Sequence, residues 1–221
     1  MCSQVRTPDR TSSLQDMNST TECITTRVAA TIPTTKDQVV IDGDLEFVPL
    51  IRRNEIQQKV KELAKCINRD YQHLNPILVG VLNGSFIFLA DLIREVTIPC
   101  EMDFIKISSY EKAMRSSGVV TIKKDFDCQV RDRHILIIED IVDSGLSIRY
   151  LKQKFLAEKP TSLKFMTLFM KPDSVKIDFP IDYVGFEIAN DFVIGYGLDH
   201  AQRWRNLKDV YVLSRTIGMN S

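Results

Sequence analysis

The segment from Ile135 to Ser147, Ile-Leu-Ile-Ile-Glu-Asp-Ile-Val-Asp-Ser-Gly-Leu-Ser, constrains this chain more than any other. Four consecutive aliphatic residues read as a strand buried on both faces, because a strand with one solvated face alternates apolar and polar residues. Such strands belong to parallel sheets, whose ligands bind beyond the carboxyl ends of the strands. Glu139 and Asp140 therefore stand at the ligand end. Asp143 follows, joined to a small hydroxyl-bearing turn, Ser144-Gly145-Leu146-Ser147, that opens a helix. Unpaired N–H groups and the helix dipole favour an anion such as phosphate there. Three acids would repel a phosphate unless something between them donates to carboxylates or carries positive charge. Ribose hydroxyls and Mg2+ meet that need, so the segment fits a sugar phosphate with a metal near the acid pair. The blander alternative is that Asp143 or Ser144 simply caps an ordinary helix.

The flanking sequence alternates strands and helices. Ile77 to Leu82, Cys100 to Ser108, Val119 to Lys123, Leu163 to Met170, Tyr183 to Phe186 and Val210 to Leu213 read as strands. Ile56, Val60, Leu63 and Ile67 fall at helical spacing, and further helices are expected over 86–96 and 146–157. The alternation predicts an α/β fold, a mainly parallel twisted sheet with helices on both faces. Between Ser108 and Val119 runs a polar stretch with no apolar face, long for a hairpin connection and therefore a candidate lid. Residues 1–44 are rich in Ser and Thr and show no period, which predicts a disordered extension, with 45–221 as one folded domain. Arg6, Arg10 and Arg27 in that extension suit an organellar transit peptide, but Asp9, Asp16 and Glu22 oppose it, and a cytoplasmic location is expected.

Composition removes several classes of function. Lys plus Arg and Asp plus Glu each number 29, so no bulk charge draws the chain to nucleic acid or to an anionic membrane. No apolar stretch reaches the roughly 20 residues needed to cross a bilayer. Five scattered cysteines without a C-x-x-C pair argue against a metal cluster or disulfide framework, and Cys66 is expected only to pack. His73, His134 and His200 form no triad by spacing, and Trp204 is expected to cover apolar surface.

The thirteen-residue segment resembles the phosphoribosyltransferase signature of four apolar residues, two acids, two apolar residues, an acid and a small Thr/Ser-Gly turn. Beyond it, Leu82-Asn83-Gly84-Ser85, Ser109-Tyr110, Lys171, Phe192-Val193, Gly195-Tyr196-Gly197-Leu198-Asp199 and Arg205-Asn206-Leu207 stand in an order similar to the hypoxanthine-guanine branch of the type I family. The resemblance covers residues 46 to 214. It implies the type I fold with a small hood, and Mg2+-dependent transfer of a phosphoribosyl group from 5-phosphoribosyl-1-pyrophosphate to hypoxanthine or guanine, with xanthine left open. A homodimer or homotetramer is the assembly it suggests.

Roles come with the resemblance. Asp143 matches the general base at purine N7, and Glu139 and Asp140 match acids at the ribose hydroxyls and metal. Ser144, Gly145, Leu146 and Ser147 match the 5′-phosphate turn, while Asn83-Gly84 and Arg205 match pyrophosphate contacts. Asp199 matches a third metal ligand, Phe192 a platform for the purine, Val193 a backbone contact to its edge, and Ser109-Tyr110 the start of the lid. Lys171 would select a 6-oxo group, since an ammonium donates and cannot accept. Two positions depart from the pattern: Asn83 stands where many relatives carry Lys or Arg, and Leu146 where some carry Lys. A regulatory protein that kept the fold and binds nucleic acid is the competing reading, opposed by the balanced charge and by the presence of both Asp143 and Lys171.

Overall fold

The computed structural model describes residues 25–28, 39–109 and 120–216. Tyr110 and the body of the expected lid lie outside them, as does most of the N-terminal extension. In chain order the elements are β1 (Thr26–Arg27), β2 (Val40–Asp42), β3 (Leu45–Ile51), α1 (Arg53–Asp70), β4 (Ile77–Leu82), α2 (Ser85–Glu95), β5 (Glu101–Ser109) and β6 (Val120–Lys124). There follow β7 (His134–Val142), α3 (Leu146–Ala157), β8 (Ser162–Met170), β9 (Tyr183–Glu187), β10 (Val193–Ile194) and β11 (Val210–Thr216).

Seven strands form the main sheet in the order β1-β9-β8-β7-β4-β5-β6, parallel throughout except for the β5-β6 hairpin. The period of two along β7 sends Leu136 and Ile138 into a core shared with Ile56, Val60, Leu63 and Ile67 of α1 and with Phe88, Leu89 and Leu92 of α2. Ile135 and Ile137 enter the opposite core, with Ile148, Leu151 and Phe155 of α3. Helices thus cover both faces, as the continuous apolar strands require, and each large side chain so buried contributes about 1.5–3 kcal/mol.

The path of the chain creates the ligand crevice. β4 leads through α2 to β5 on one side, whereas β7 leads through α3 to β8 on the other. Pairing of β7 with β4 ends at Gly80 and Ile138, but its pairing with β8 continues to Val142 and Met170. The carboxyl ends of β4 and β7 therefore part where the winding reverses, the place at which open α/β sheets bind ligands. The β8 ladder also explains why β7 runs through Glu139 and Asp140 instead of stopping at Ile138.

Four antiparallel strands, β10-β11-β3-β2, make the hood around Phe47, Ile194 and Tyr211. Here the expected boundary at residue 45 needs correction. Val40 packs against the hood core, Asp42 is buried, and Gly43 (φ 61°) turns β2 into β3. An Asp-Gly pair between apolar residues is a strong hairpin signal, and it was legible in Val40-Ile41-Asp42-Gly43-Asp44-Leu45. β1 also falls within the supposed extension, pairing in parallel with β9 at the sheet edge. Cys66 packs against the core, as expected, and is also disulfide-bonded. Cys100 and Cys128 are free thiols. No described helix is long and apolar enough to cross a membrane.

Candidate active site

Glu139 and Asp140 occupy the end of β7 inside the crevice. Burial, reinforced by the neighbouring Asp140 charge, holds the Glu139 carboxyl well above the ordinary carboxylate range. Burial likewise pushes Asp140 up to about 6, against the pull of backbone N–H groups and Arg205. Gly84, at the turn from β4 into α2, lies so close to the Asp140 carboxylate that a Cβ there would overlap it. A Cβ on Gly197 (φ 100°) would in turn strike the Gly84 carbonyl. Three distant motifs, around Gly84, Asp140 and Gly197, are thereby packed backbone against side chain, and only glycine permits the approach. Asn83 is exposed beside them.

The turn after β7 forms a cleft of about 180 Å³ whose lining includes Glu139, Asp143, Ser144, Gly145, Leu146 and Ser147. Gly145 adopts φ 80°, and a Cβ on it would come within 2.5 Å of Ile177 Cγ2, so the turn can coil tightly into α3. The first N–H groups of α3 face this turn with the Ser144 and Ser147 hydroxyls nearby, the donor set an anion needs. Gly145 occupies the N-cap position, so Asp143 does not cap the helix, whereas the Ser144 hydroxyl accepts from Leu146 N–H at 3.5 Å and that half of the capping alternative stands. Because Val142 pairs with Met170, the next residues along both strands, Asp143 and Lys171, stand side by side. Lys171 Nζ donates to Asp143 Oδ2 at 2.8 Å. The lysine side chain is 9% exposed and that of the aspartate 50%, so a buried cation leans on an acid open to the crevice.

The segment from Phe192 to Arg205 closes the opposite wall. Phe192 is exposed and meets His200 edge-on at 5.6 Å between ring centroids, while Val193 is buried in β10. Arg205 pairs with Asp199 at 2.6 Å and donates to the Gly197 carbonyl at 2.7 Å. Asp199 thus faces an arginine. Among the described residues no three acid, His or Cys side chains gather as a metal-binding group, and the Asp199 charge nonetheless reaches Asp140, adding to the rise of its carboxyl. Ser109 ends β5 at the same edge of the sheet.

Sequence reasoning missed Asp42. Its Oδ2 accepts from Trp204 Nε1 at 2.8 Å and lies 2.7 Å from His200 Nδ1, while Oδ1 lies 2.6 Å from Arg203. The indole N–H, then His200, hold its carboxyl below the ordinary range. Trp204, expected only as apolar cover, is also a donor.

Comparison with known proteins agrees with this geometry. Residues 52–201 match the family model of the phosphoribosyl transferase domain. The chain is 48% identical over 174 residues to the hypoxanthine-guanine phosphoribosyltransferase of Bacillus subtilis, covering 79% of this chain and 96% of that one. Against the enzyme of the same name from Mycobacterium tuberculosis, identity is 41% over 177 residues, with 77% and 87% covered. A solved hypoxanthine-guanine phosphoribosyltransferase from Bacillus anthracis superposes with a TM-score of 0.69 at 42% identity, over 75% of this chain and 97% of that one. A hypoxanthine phosphoribosyltransferase from Staphylococcus aureus gives 0.72 at 36% identity, over 75% and 90%. With the crevice, the acid pair and the turn into α3 in these places, the chain belongs to the phosphoribosyltransferase family, in its hypoxanthine-guanine branch.

Proposed function

We propose that the protein transfers the 5-phosphoribosyl group of 5-phosphoribosyl-1-pyrophosphate to N9 of hypoxanthine or guanine, releasing pyrophosphate and forming IMP or GMP. The observation that carries this reading is the Asp143–Lys171 pair at 2.8 Å. A 6-oxopurine presents N7 and O6 side by side along one edge. An acceptor next to a donor is the complement of that edge when N7 carries its proton. Asp143 takes the N7 proton as the glycosidic bond forms at N9, and Lys171 donates to O6, each giving up its contact with the other for one with the base.

The other residues divide by chemistry. N–H groups at the start of α3 and the hydroxyls of Ser144 and Ser147 hold the 5′-phosphate. Glu139 and Asp140 accept from the ribose hydroxyls, and their negative charge lies near the anomeric carbon as oxocarbenium character develops, stabilising mainly the transition state. Phe192 stacks on the purine, with Val193 backbone groups at its edge. Arg205, released from Asp199, joins the Asn83-Gly84 turn at the pyrophosphate. Two adjacent, buried, mutually repelling carboxylates are hard oxygen donors suited to Mg2+. When bound, Mg2+ supplies neutralisation of the leaving pyrophosphate. Asp199 serves that ion only if Arg205 moves off it.

Assaying the protein with hypoxanthine, guanine, xanthine and adenine, each with 5-phosphoribosyl-1-pyrophosphate and Mg2+, tests the reading. Hypoxanthine and guanine should be used and adenine rejected, by around 10⁴-fold, because adenine sets an amino donor against a buried ammonium. Lys171→Gln should narrow the ratio mainly by impairing the 6-oxopurines. Equal efficiency with adenine and hypoxanthine would remove both the role of Lys171 and the choice of substrate.

A further inference from the structure

The segment from Asp199 to Arg205 carries both ends of the site's ion pair, yet its own conformation is unfavourable. Ala201, Gln202 and Trp204 have φ of 49°, 67° and 76°, a region costly for residues with a side chain. Its internal support is a short bridge in which His200 and Arg203 exchange backbone hydrogen bonds at 3.2 and 3.0 Å, with Gln202 N–H donating to Asp199 at 2.8 Å. Such strain persists only where surrounding structure over-determines it. Beside the hydrogen bonds between Arg205 and Gly197 and the packing of Trp204 on the hood core, one carboxylate gathers three of the loop's side chains. Asp42, with a side chain 2% exposed, engages His200, Arg203 and Trp204 at once and lies between the strained turn and the hood. The same His200 ring abuts Phe192 at 83°, so Asp42 also reaches the proposed purine platform through one intermediary.

We propose that Asp42 is a positioning residue of the active site: it locks the 199–205 loop so that Asp199 and Arg205 stand at the pyrophosphate end while His200 braces Phe192 at the purine end. Asp42 touches no reacting atom and acts only through the three side chains it gathers. The catalytic domain therefore includes β2. The proposal rests on the transferase reading for what the loop presents, though not for the existence of the clamp.

Trp204 is the sole tryptophan, so intrinsic fluorescence reads the clamp without interference. The full-length protein and Asp42→Asn are compared by emission, by acrylamide quenching and by calorimetric affinity for 5-phosphoribosyl-1-pyrophosphate in Mg2+ buffer. The amide loses the charge that faces Arg203 and His200 together. Expected are a red-shifted, more quenchable emission and an affinity about tenfold weaker, the loss of about 1.4 kcal/mol of binding, in a protein that still unfolds cooperatively. Trp204→Phe keeps one aromatic ring in place but loses the N–H together with the pyrrole half of the indole, and should weaken affinity about threefold; it decides the matter if Asp42→Asn does not fold. Affinity unchanged in a folded Asp42→Asn, or in Trp204→Phe where only that variant folds, overturns the proposal, whether or not the emission moves. Failure of the transferase reading looks different: the unaltered protein would bind 5-phosphoribosyl-1-pyrophosphate and turn over no purine, while the effect of Asp42→Asn on binding would remain.

Discussion

Two buried groups of carboxylates sit on either side of the same crevice and behave in opposite ways. In the hood, Asp42 is surrounded by an indole N–H, an imidazole and a guanidinium, and its carboxyl is held below the ordinary range. At the end of β7, Glu139 is buried and Asp140 half-buried beside it, and both are held above it. Burial alone raises a carboxyl pKa in both places, so the difference lies in the partners. A satisfied acid ties structure together. The acid pair, raised by burial, stores an electrostatic cost that a ligand carrying hydroxyls and a dication can relieve, as the proposed working site requires. If so, substitutions on the two sides should differ in what they damage.

The largest effect is expected at Asp143, which follows the acid pair and belongs with it. Asp143→Asn keeps the shape and the contact with Lys171 while removing the basic oxygen. Turnover should fall by about 10² to 10⁴-fold, with little change in nucleotide affinity. Pre-steady-state measurement of nucleotide formation checks this, and a variant of undiminished rate would take the proton-accepting role away from Asp143.

On the hood side the corresponding experiment is a pair of truncations. Removal of residues 1–38 should leave affinity for 5-phosphoribosyl-1-pyrophosphate near that of the full chain, because β2 and Asp42 remain. Removing 1–44 takes them away and should weaken it about tenfold, a difference of about 1.4 kcal/mol. Calorimetry on both proteins isolates residues 39–44, since everything else lost is common to the two. Matching affinities would return the boundary to residue 45.

The same contrast explains what could be read before the fold was seen. β4 and α3 match their expected ranges residue for residue, α2, β5, β8 and β9 differ by a residue at their ends, and the apolar stripe from Ile56 to Ile67 lies within α1, because continuous apolar runs and 3.6-residue spacing are local signals. The acid pair, Asp143 and the turn into α3 could be placed together at the end of one strand for the same reason: they are contiguous. Asp42 could not be placed in this way, since the donors that make it matter are some 160 positions away along the chain and nothing local marks them. The pairing of Asp199 with Arg205 was hidden too, as it depends on the path of a loop with three left-handed residues that no periodicity encodes.

Stability should respond with opposite signs. In the absence of ligands, Glu139→Gln removes a carboxyl whose ionised form burial and Asp140 disfavour, and should raise the melting temperature. The same variant should bind 5-phosphoribosyl-1-pyrophosphate more weakly, the usual exchange of stability for function. Asp42→Asn should lower the melting temperature, since it leaves a guanidinium and an imidazole facing an uncharged amide. Calorimetric scans of both variants beside the parent decide it. A destabilised Glu139→Gln would mean that the acid pair is a structural element after all.

The smallest effect expected is the acid response of the clamp. A carboxyl with a lowered native pKa is deprotonated in the folded protein at pH values where the unfolded chain already binds a proton. Its contribution to stability is therefore whole above the ordinary aspartate value of about 4 and declines as pH falls through the lowered native value. Trp204 emission should accordingly stay level from neutral pH down to about 4 and shift to the red only below it, while in Asp42→Asn, already shifted at neutral pH, that step should be missing. Reversibility on returning to neutral pH separates release of the clamp from general acid unfolding. A transition close to neutrality would assign the response to a group other than Asp42, and the hood carboxylate would no longer be the counterpart of the acid pair that its three donors make it.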